Sequence, residues 1–226
     1  MSSSEKRYVV TKVTGQVPLV GDPKAGPWKK ARMLKIDQFS WYKSGDKQAT
    51  TVRLLYDDQA VYAQFICEDT HIYAEATELN GPVWKDSCVE FFGTIAPEKS
   101  TDYFNLEMNC CGTFLVGFNR SRDKGVRISP DLAARVKVIS PLPKAPKAES
   151  PTDNGWWIAV RLPFDVIAEL SGQPVQVTCG TAWRANFYRC GGKTDQQYGC
   201  WSPIDTVKHP FADFHRPEYF GSLVFG

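Results

Sequence analysis

Histidine and methionine are both scarce in this sequence, with three residues of each among 226. The scarcity of histidine argues against a metal enzyme built on several imidazole ligands. Lysine and arginine together number 27 against 25 aspartates and glutamates, so the net charge is only +2, and no long basic run occurs. Nucleic-acid binding depends on a dense positive surface, and we therefore expect no nucleic-acid partner.

Long apolar runs are also missing. No stretch approaches the roughly 18–20 apolar residues that cross a bilayer, so we expect no membrane partner. The first seven residues are polar and lack the apolar segment of a signal peptide, and we expect no such peptide in this chain. The cellular location stays open between the cytoplasm and export.

The seven cysteines do not follow a metal-binding pattern. None belongs to a Cys-x-x-Cys pair, and Cys110 and Cys111 are adjacent. An odd number of irregularly spaced thiols favours reduced structural cysteines within strands, with one or two disulfides as the alternative. The spacing gives no indication of a zinc site.

Chain breakers and aromatic residues, by contrast, are plentiful. Seventeen glycines and 15 prolines separate short apolar stretches along the whole chain, a pattern typical of β-rich proteins. One short helix is predicted over 163–170, beginning near Pro163 and Asp165. Strands are predicted over 8–13, 51–56, 61–67, 87–94, 103–108, 113–118, 134–139, 156–162, 175–180, 182–188 and 222–225.

The proline-rich segment 141–151 could be a domain linker or an internal loop. Neither half of the chain has enough strands to close a stable sheet alone, so we interpret the segment as a loop between paired strands. The sequence therefore predicts one domain over residues 1–226. Its expected fold is all-β, a two-sheet antiparallel β-sandwich of jelly-roll type with very little helix.

Alternation within the predicted strands gives the sheet one apolar and one polar face. A solvated sheet face usually carries Thr, Ser, Lys and Glu, whereas this one carries side chains that form planar or bidentate hydrogen bonds. These side chains suit a ligand with many hydroxyl groups. The alternative is an ordinary solvent-exposed sheet face. The side chains concerned are Glu90, Asn105, Glu107, Arg184 and Asn186.

Two aromatic residues in predicted loops support the same interpretation. Trp84 precedes a predicted strand, and Phe214 lies in a loop near the end of the chain. Sugar rings present apolar C–H faces that stack on aromatic rings, while their hydroxyls pair with amides, carboxylates and guanidinium groups. The alternative is that each aromatic residue only anchors its loop to the core.

Several of these segments together resemble carbohydrate-binding module family 9. They are the run 51–62 (TVRLLYDDQAVY), the pair Glu68-Asp69, the run 84–92 (WKDSCVEFF) and the ending 216–223 (RPEYFGSL). The resemblance extends from about residue 28 to residue 226. It implies a non-catalytic β-sandwich domain that recognises a sugar terminus of an oligosaccharide or polysaccharide and is associated with carbohydrate breakdown. Where a protein partner exists, the resemblance implies a separately encoded glycoside hydrolase.

The resemblance also implies which residues bind the ligand. Family members clamp the terminal sugar between two tryptophans; the first aligns with Trp84, and the second position holds Phe214 instead. We expect these two rings to face each other across a slot with Glu90, Asn186 and Arg184 at its floor. The candidate binding set is Trp84, Glu90, Asn105, Glu107, Arg184, Asn186 and Phe214.

Structural calcium is a further expectation from the resemblance. Ca²⁺ takes six to eight oxygen ligands, and carboxylates cluster near the predicted strand ends. For the Asp57-Asp58 pair, simple turn chemistry is the alternative. The candidate ligands are Asp57, Asp58, Glu68, Asp69 and Asp86.

Three other functions compete with sugar binding. Glycoside hydrolysis needs two carboxyls about 5–10 Å apart, which Glu90 and Glu107, or Asp86 and Glu90, could supply. The resemblance to a non-catalytic module argues against it, and we predict that the chain is not an enzyme. A haem-binding sandwich would need an axial methionine, but alternation places Met108 in the core. A protein-interaction sandwich without a sugar ligand is the third alternative.

Overall fold

The computed structural model describes residues 6–122, 124–142, 146–196 and 198–226. Strands make up 37% of the chain and helix 11%, so the predicted all-β class is confirmed. The strands are β1 (Arg7–Lys12), β2 (Met33–Ile36), β3 (Thr50–Tyr56), β4 (Ala60–Cys67), β5 (Cys88–Thr94), β6 (Tyr103–Asn109), β7 (Phe114–Ser121), β8 (Lys124–Arg127), β9 (Lys137–Ile139), β10 (Trp156–Pro163), β11 (Ala182–Cys190), β12 (Gly199–Cys200) and β13 (Gly221–Phe225).

Helical segments are few and short. Two are α-helices, α1 (Pro130–Ala133) and α2 (Phe164–Ser171), and the others are 3₁₀ turns over Gly26–Lys30, Val83–Lys85 and Pro217–Tyr219. The helix predicted over 163–170 corresponds to α2, shifted by one residue. It ends at Gly172, whose positive φ of 70° forms a left-handed C-cap.

The strands form two sheets that share β1. Sheet A has the order β8-β7-β6-β5-β11-β13-β1, with β12 on β11, and sheet B has the order β1-β3-β4-β10-β9, with β2 on β3. The predicted sandwich is confirmed, but it is not wholly antiparallel, because β1 pairs in parallel with both β13 and β3. Since β1 and β13 lie at opposite ends of the chain, no tight turn forces them to run antiparallel.

The main core lies between the two sheets. Strand alternation predicted correctly which face of sheet A packs into this core. Phe91, Phe104, Met108, Trp183 and Phe187 are all buried in one apolar cluster with residues of β3, β4 and β10. Phe91 stacks on Phe187 with 4.8 Å between ring centroids. Met108 is fully buried in this core, as strand alternation predicted.

The strand predicted over 175–180 is wrong, although its alternating residues are partly buried. Val175 and Val177 pack against the main core, but the segment pairs with no strand in the described part of the chain. The alternation of apolar residues therefore predicted the burial of this segment correctly but its strand pairing incorrectly.

The strand predicted over 134–139 is too long. Pro130 and the Ser129 side chain, which accepts a hydrogen bond from the Leu132 amide, begin α1 here, and β9 starts only at Lys137.

The proline-rich segment connects β9 to β10, which pair with each other in sheet B. It therefore joins neighbouring strands, and we keep the interpretation of one domain over residues 1–226. Residues 143–145 of this segment lie outside the described residues. Within the described ranges, no helix is long and apolar enough to cross a membrane.

Candidate functional site

The outer face of sheet A is covered by the segment that follows β12. A second apolar cluster forms there, in which Phe92, Tyr103 and Tyr188 of the sheet meet Phe214 and Phe220 of the covering segment. The Tyr188 ring stacks on Phe214 with centroids 4.1 Å apart, and its hydroxyl donates a hydrogen bond to the Phe214 carbonyl oxygen. The predicted polar face is therefore mostly buried rather than open to solvent.

A cavity of about 730 Å³ opens beside this covering segment. Its size falls within the range of about 300–1,000 Å³ that is typical of small-molecule sites. It is lined by Tyr73, Glu75, Trp84, Lys85, Asp86, Glu90, Glu107, Arg122, Arg127, Cys190, Gly192, Lys193, Gln196, Tyr198, Ala212, Asp213, Phe214 and His215. Four of the seven candidate binding residues, Trp84, Glu90, Glu107 and Phe214, are among them.

Trp84 presents an unusually large apolar surface to solvent at this cavity. Its side chain is 45% exposed, whereas the neighbouring Val83 is fully buried. The turn that holds it is fixed by Asp86, whose carboxylate accepts hydrogen bonds from the backbone amides of Glu75 and Ala76. Trp84 therefore is not a core anchor, and its exposed ring at the cavity is able to stack on a ligand.

Two carboxyl groups lie side by side in the cavity. Glu90 on β5 is directly opposite Glu107 on β6, and both are only 3% exposed. Burial raises the pKa of the Glu90 carboxyl well above its usual value, and Cys190 and Glu107 raise it further. Burial also raises the pKa of Glu107, against an opposing effect from Asn105 and Arg127. Adjacent buried carboxyls favour a shared proton or a ligand that donates hydrogen bonds.

Asn105 does not line the cavity but positions Glu107. Its amide nitrogen donates to Glu107 Oε1 at 2.7 Å, and its oxygen accepts from the Asn119 amide at 2.7 Å. Gly117 on β7 leaves room for this chain of hydrogen bonds, because a Cβ atom there would lie 2.6 Å from Asn105 Oδ1. The carboxylate of Glu107 is therefore held by a network that reaches back across two strands.

Arg184 and Asn186 also lie outside the cavity lining, which corrects the expected slot floor. The Asn186 side chain donates to the Ser202 carbonyl oxygen and accepts from the Ser202 amide, both at 2.9 Å. Arg184 Nε donates to the Phe220 carbonyl oxygen at 2.9 Å. Covering a polar sheet face requires its hydrogen-bonding groups to be satisfied, and these side chains attach the covering segment to the sheet.

Phe214 does not stand free opposite Trp84. It is 8% exposed and packs on Tyr188 and on Trp41, the latter at 5.9 Å between centroids. Only a small part of its ring is left for the cavity. Tyr198, which lies beside Phe214 at 6.4 Å and is only partly buried, offers a further aromatic surface in the lining.

His215 is a neutral member of the lining. Burial lowers its pKa to about 4; Asp213 raises the pKa, and Arg122, Arg127 and Arg216 lower it. The Tyr103 hydroxyl and His215 Nδ1 form a hydrogen bond of 2.7 Å. Asp213 is itself held by Arg122 at 2.8 Å and Arg216 at 2.7 Å.

Sequence reasoning missed the basic side of the cavity. Arg122 follows β7 and Arg127 lies on β8, a strand that was not predicted. The available signal was Gly125, which follows Lys124 and precedes Val126 and Arg127 and is compatible with a hairpin. Lys85 and Lys193 complete the basic part of the lining.

The five candidate calcium ligands have protein partners already. Asp57 Oδ1 accepts hydrogen bonds from the backbone amides of Gln59 and Ala60, both at 2.8 Å, which is the turn chemistry considered as the alternative. Partners of the others include Lys12 for Asp58, the Ala49 amide for Glu68, Arg189 for Asp69 and the Glu75 amide for Asp86. Calcium stays a prediction from the family resemblance.

All seven cysteines carry free thiols. Among the described residues, one group of three metal-ligating side chains comes together, and it includes two of these cysteines. Cys88, Glu90 and Cys190 place their donor atoms within 4.8 Å of one another, and all three are buried.

Comparisons with known proteins agree with this fold. A crystal structure of a proposed carbohydrate-binding protein from Bacteroides uniformis ATCC 8492 superimposes with a TM-score of 0.85 at 25% identity, covering 99% of this chain and 100% of that one. A family 9 module from Caldicellulosiruptor kristjanssonii in complex with glucose gives a TM-score of 0.62 at 14% identity, covering 98% and 96%. Its complex with cellotriose gives the same TM-score and identity, covering 97% and 93%. No curated protein matches the sequence.

The sequence profile of carbohydrate-binding family 9 matches residues 23–225, nearly the whole chain. This family consists of binding modules without catalytic activity, so the two cavity carboxyls are not a glycosidase pair. The match confirms the family predicted from the segments 51–62, 84–92 and 216–223. The chain belongs to carbohydrate-binding family 9 and is a non-catalytic carbohydrate-binding domain.

Proposed function

We propose that the cavity beside Trp84 binds the terminal sugar of an oligosaccharide or polysaccharide. The observation that carries this proposal is the combination of a 45% exposed indole with two buried carboxyls in one cavity. A pyranose ring has apolar C–H faces and a polar edge, so it can stack on Trp84 while its hydroxyls donate to Glu90 and Glu107. Neither group alone would match both parts of a sugar.

The family resemblance favours the end of a chain over its middle. The cavity is bordered by the turn Val83–Lys85, by Arg127 of β8, by Lys193 after β11 and by the segment that carries Phe214. The basic residues Arg122 and Arg127 are further donors for ring or hydroxyl oxygens.

The complexes of the Caldicellulosiruptor kristjanssonii module support glucose and short glucans as the first ligands to test. We infer that the domain acts beside a separately encoded glycoside hydrolase, since a domain that only binds sugar needs a partner for carbohydrate breakdown. Copurification of a glycoside hydrolase with the tagged domain would support this partner. Purification of the tagged domain without any hydrolase would contradict it.

A glycan array followed by isothermal titration calorimetry tests the binding proposal. Cellotriose, and each array hit, is measured before and after borohydride reduction, which opens the reducing-end ring. Loss of binding on reduction assigns the cavity to the reducing end, and retained binding assigns it to the other terminus. Equal affinity for a ligand blocked at both ends would contradict terminal recognition, and absence of binding to every glycan would contradict sugar binding itself.

The matched control for this experiment is Tyr42→Ala. Tyr42 is 45% exposed, like Trp84, but does not line the cavity. The proposal expects Tyr42→Ala to bind the selected glycan as the natural sequence does. A loss of affinity in this control would place the binding surface elsewhere on the domain.

A further inference from the structure

The paired strands β5 and β11 place two thiols and one carboxyl at a single point. Cys88 and Cys190 are directly opposite each other in the register, and Glu90 follows two residues after Cys88 on the same face. The thiol of Cys190 lies 2.9 Å from Glu90 Oε1, and all three donor atoms lie within 4.8 Å of one another. Sheet pairing therefore fixes this group without help from any mobile segment.

The spacing is close to what a tetrahedral metal ion needs. With Zn–S bonds of about 2.3 Å and Zn–O bonds of about 2.1 Å, the ligand atoms stand about 3.6–3.8 Å apart. The Cys190–Glu90 contact would have to open by about 0.7 Å to reach that separation, a change that side-chain rotation can supply.

The charge environment favours a bound cation. Glu107 adds a second carboxyl directly opposite Glu90, so two acidic groups and two thiols share a buried space. A divalent cation would balance the negative charge of these groups once they ionise to bind it.

We propose that Cys88, Cys190 and Glu90 form a binding site for a thiophilic divalent cation such as Zn²⁺. Binding would release the thiol protons of Cys88 and Cys190, together with any proton held by Glu90, to solvent, and would create two metal–thiolate bonds and one metal–carboxylate bond. Because Glu90 and Cys190 line the cavity, the fourth coordination position faces it and is filled by water or another oxygen ligand. Two thiolates exclude Ca²⁺ and Mg²⁺, which prefer oxygen ligands.

The test is titration of the reduced, chelator-treated protein with Cd²⁺ and Zn²⁺, without any sugar. Cd²⁺ reports thiolate coordination through its ultraviolet charge-transfer band, and Zn²⁺ affinity is measured by competition with a chromophoric chelator. We expect one equivalent of each metal to bind, with Cd²⁺ displacing Zn²⁺ from the same site. Cys88→Ser and Cys190→Ser should each lose stoichiometric binding, since each leaves a single thiolate.

Cys110→Ser is the matched control, because Cys110 and Cys111 form a rival thiol pair with 3.8 Å between their sulfur atoms. Circular dichroism and thermal melting establish that each variant is folded. If a serine variant does not fold, Glu90→Gln decides, since it keeps both thiols: weaker Zn²⁺ binding supports the site, and unchanged binding overturns it. The proposal is also overturned if the natural sequence binds no metal, or if binding depends on Cys110 instead.

Discussion

Replacing Trp84 with alanine separates a ligand platform from a structural anchor. If the indole stacks on a sugar, its loss should cost about 1–3 kcal/mol of binding free energy, as for aromatic residues at the centres of other interfaces. At about 1.4 kcal/mol per tenfold change, the dissociation constant should rise roughly 5- to 150-fold. Calorimetry with the glycan selected on the array measures this change directly.

The same variant should be only moderately destabilised. A fully buried tryptophan that is truncated to alanine costs about 3–5 kcal/mol of unfolding free energy. Trp84 is 45% exposed, so about half of that cost, roughly 2 kcal/mol, is expected. Denaturant unfolding measures the difference, and Tyr42→Ala serves as the control of equal exposure. An unfolding cost above 3 kcal/mol together with unchanged glycan affinity would refute the assignment of Trp84 as a platform.

Three further predictions concern charge. Since the pKa of His215 falls from 6.5 to about 4 on folding, its contribution of about 2–3 kcal/mol is present above pH 6.5 and lost as the pH falls to 4. His215→Gln should flatten the dependence of unfolding free energy on pH in that window, and an unchanged profile would contradict it. Arg189→Met should lower the free energy of unfolding in urea by about 3–5 kcal/mol, because it removes the cation that pairs with the buried Asp69 carboxylate. A decrease of less than about 1 kcal/mol would contradict this prediction. If calcium binds, EDTA should lower the melting temperature and added Ca²⁺ should restore it; no response would count against calcium.

Strand periodicity was enough to predict the inner face of sheet A. Alternation in the predicted strands puts Phe91, Phe104 and Phe187 on the apolar face, and the structure buries all three. This worked because side chains in a strand alternate strictly between the two faces. The same rule cannot tell which face will be covered by a distant part of the chain. For that reason the sequence predicted that the polar face of sheet A would be open to solvent or to a ligand.

The covering segment explains why Asn186 and Arg184 do not form the slot floor that was predicted. Their side chains point to the outer face as predicted, but there they hold the backbone of Ser202 and Phe220. Twenty or more residues of irregular chain carry little periodic signal, so the course of residues 201–220 could not be derived from the sequence. Short edge strands such as β8 were missed for the same reason, and Arg127 was missed with β8.

Glu90 belongs to both proposals, and the variants of its neighbours can separate them. A glycan needs the carboxyl of Glu90 as a hydrogen-bond acceptor, whereas a thiophilic cation needs Glu90 together with Cys88 and Cys190. Glu90→Gln should therefore weaken both sugar and metal binding. Cys88 does not line the cavity, so Cys88→Ser should weaken metal binding and leave the sugar affinity of the metal-free protein unchanged. If Cys88→Ser loses the sugar and keeps the metal, both assignments fail. If Zn²⁺ changes sugar affinity in the natural sequence but not in Cys88→Ser, the two sites are linked through the one carboxyl that they share.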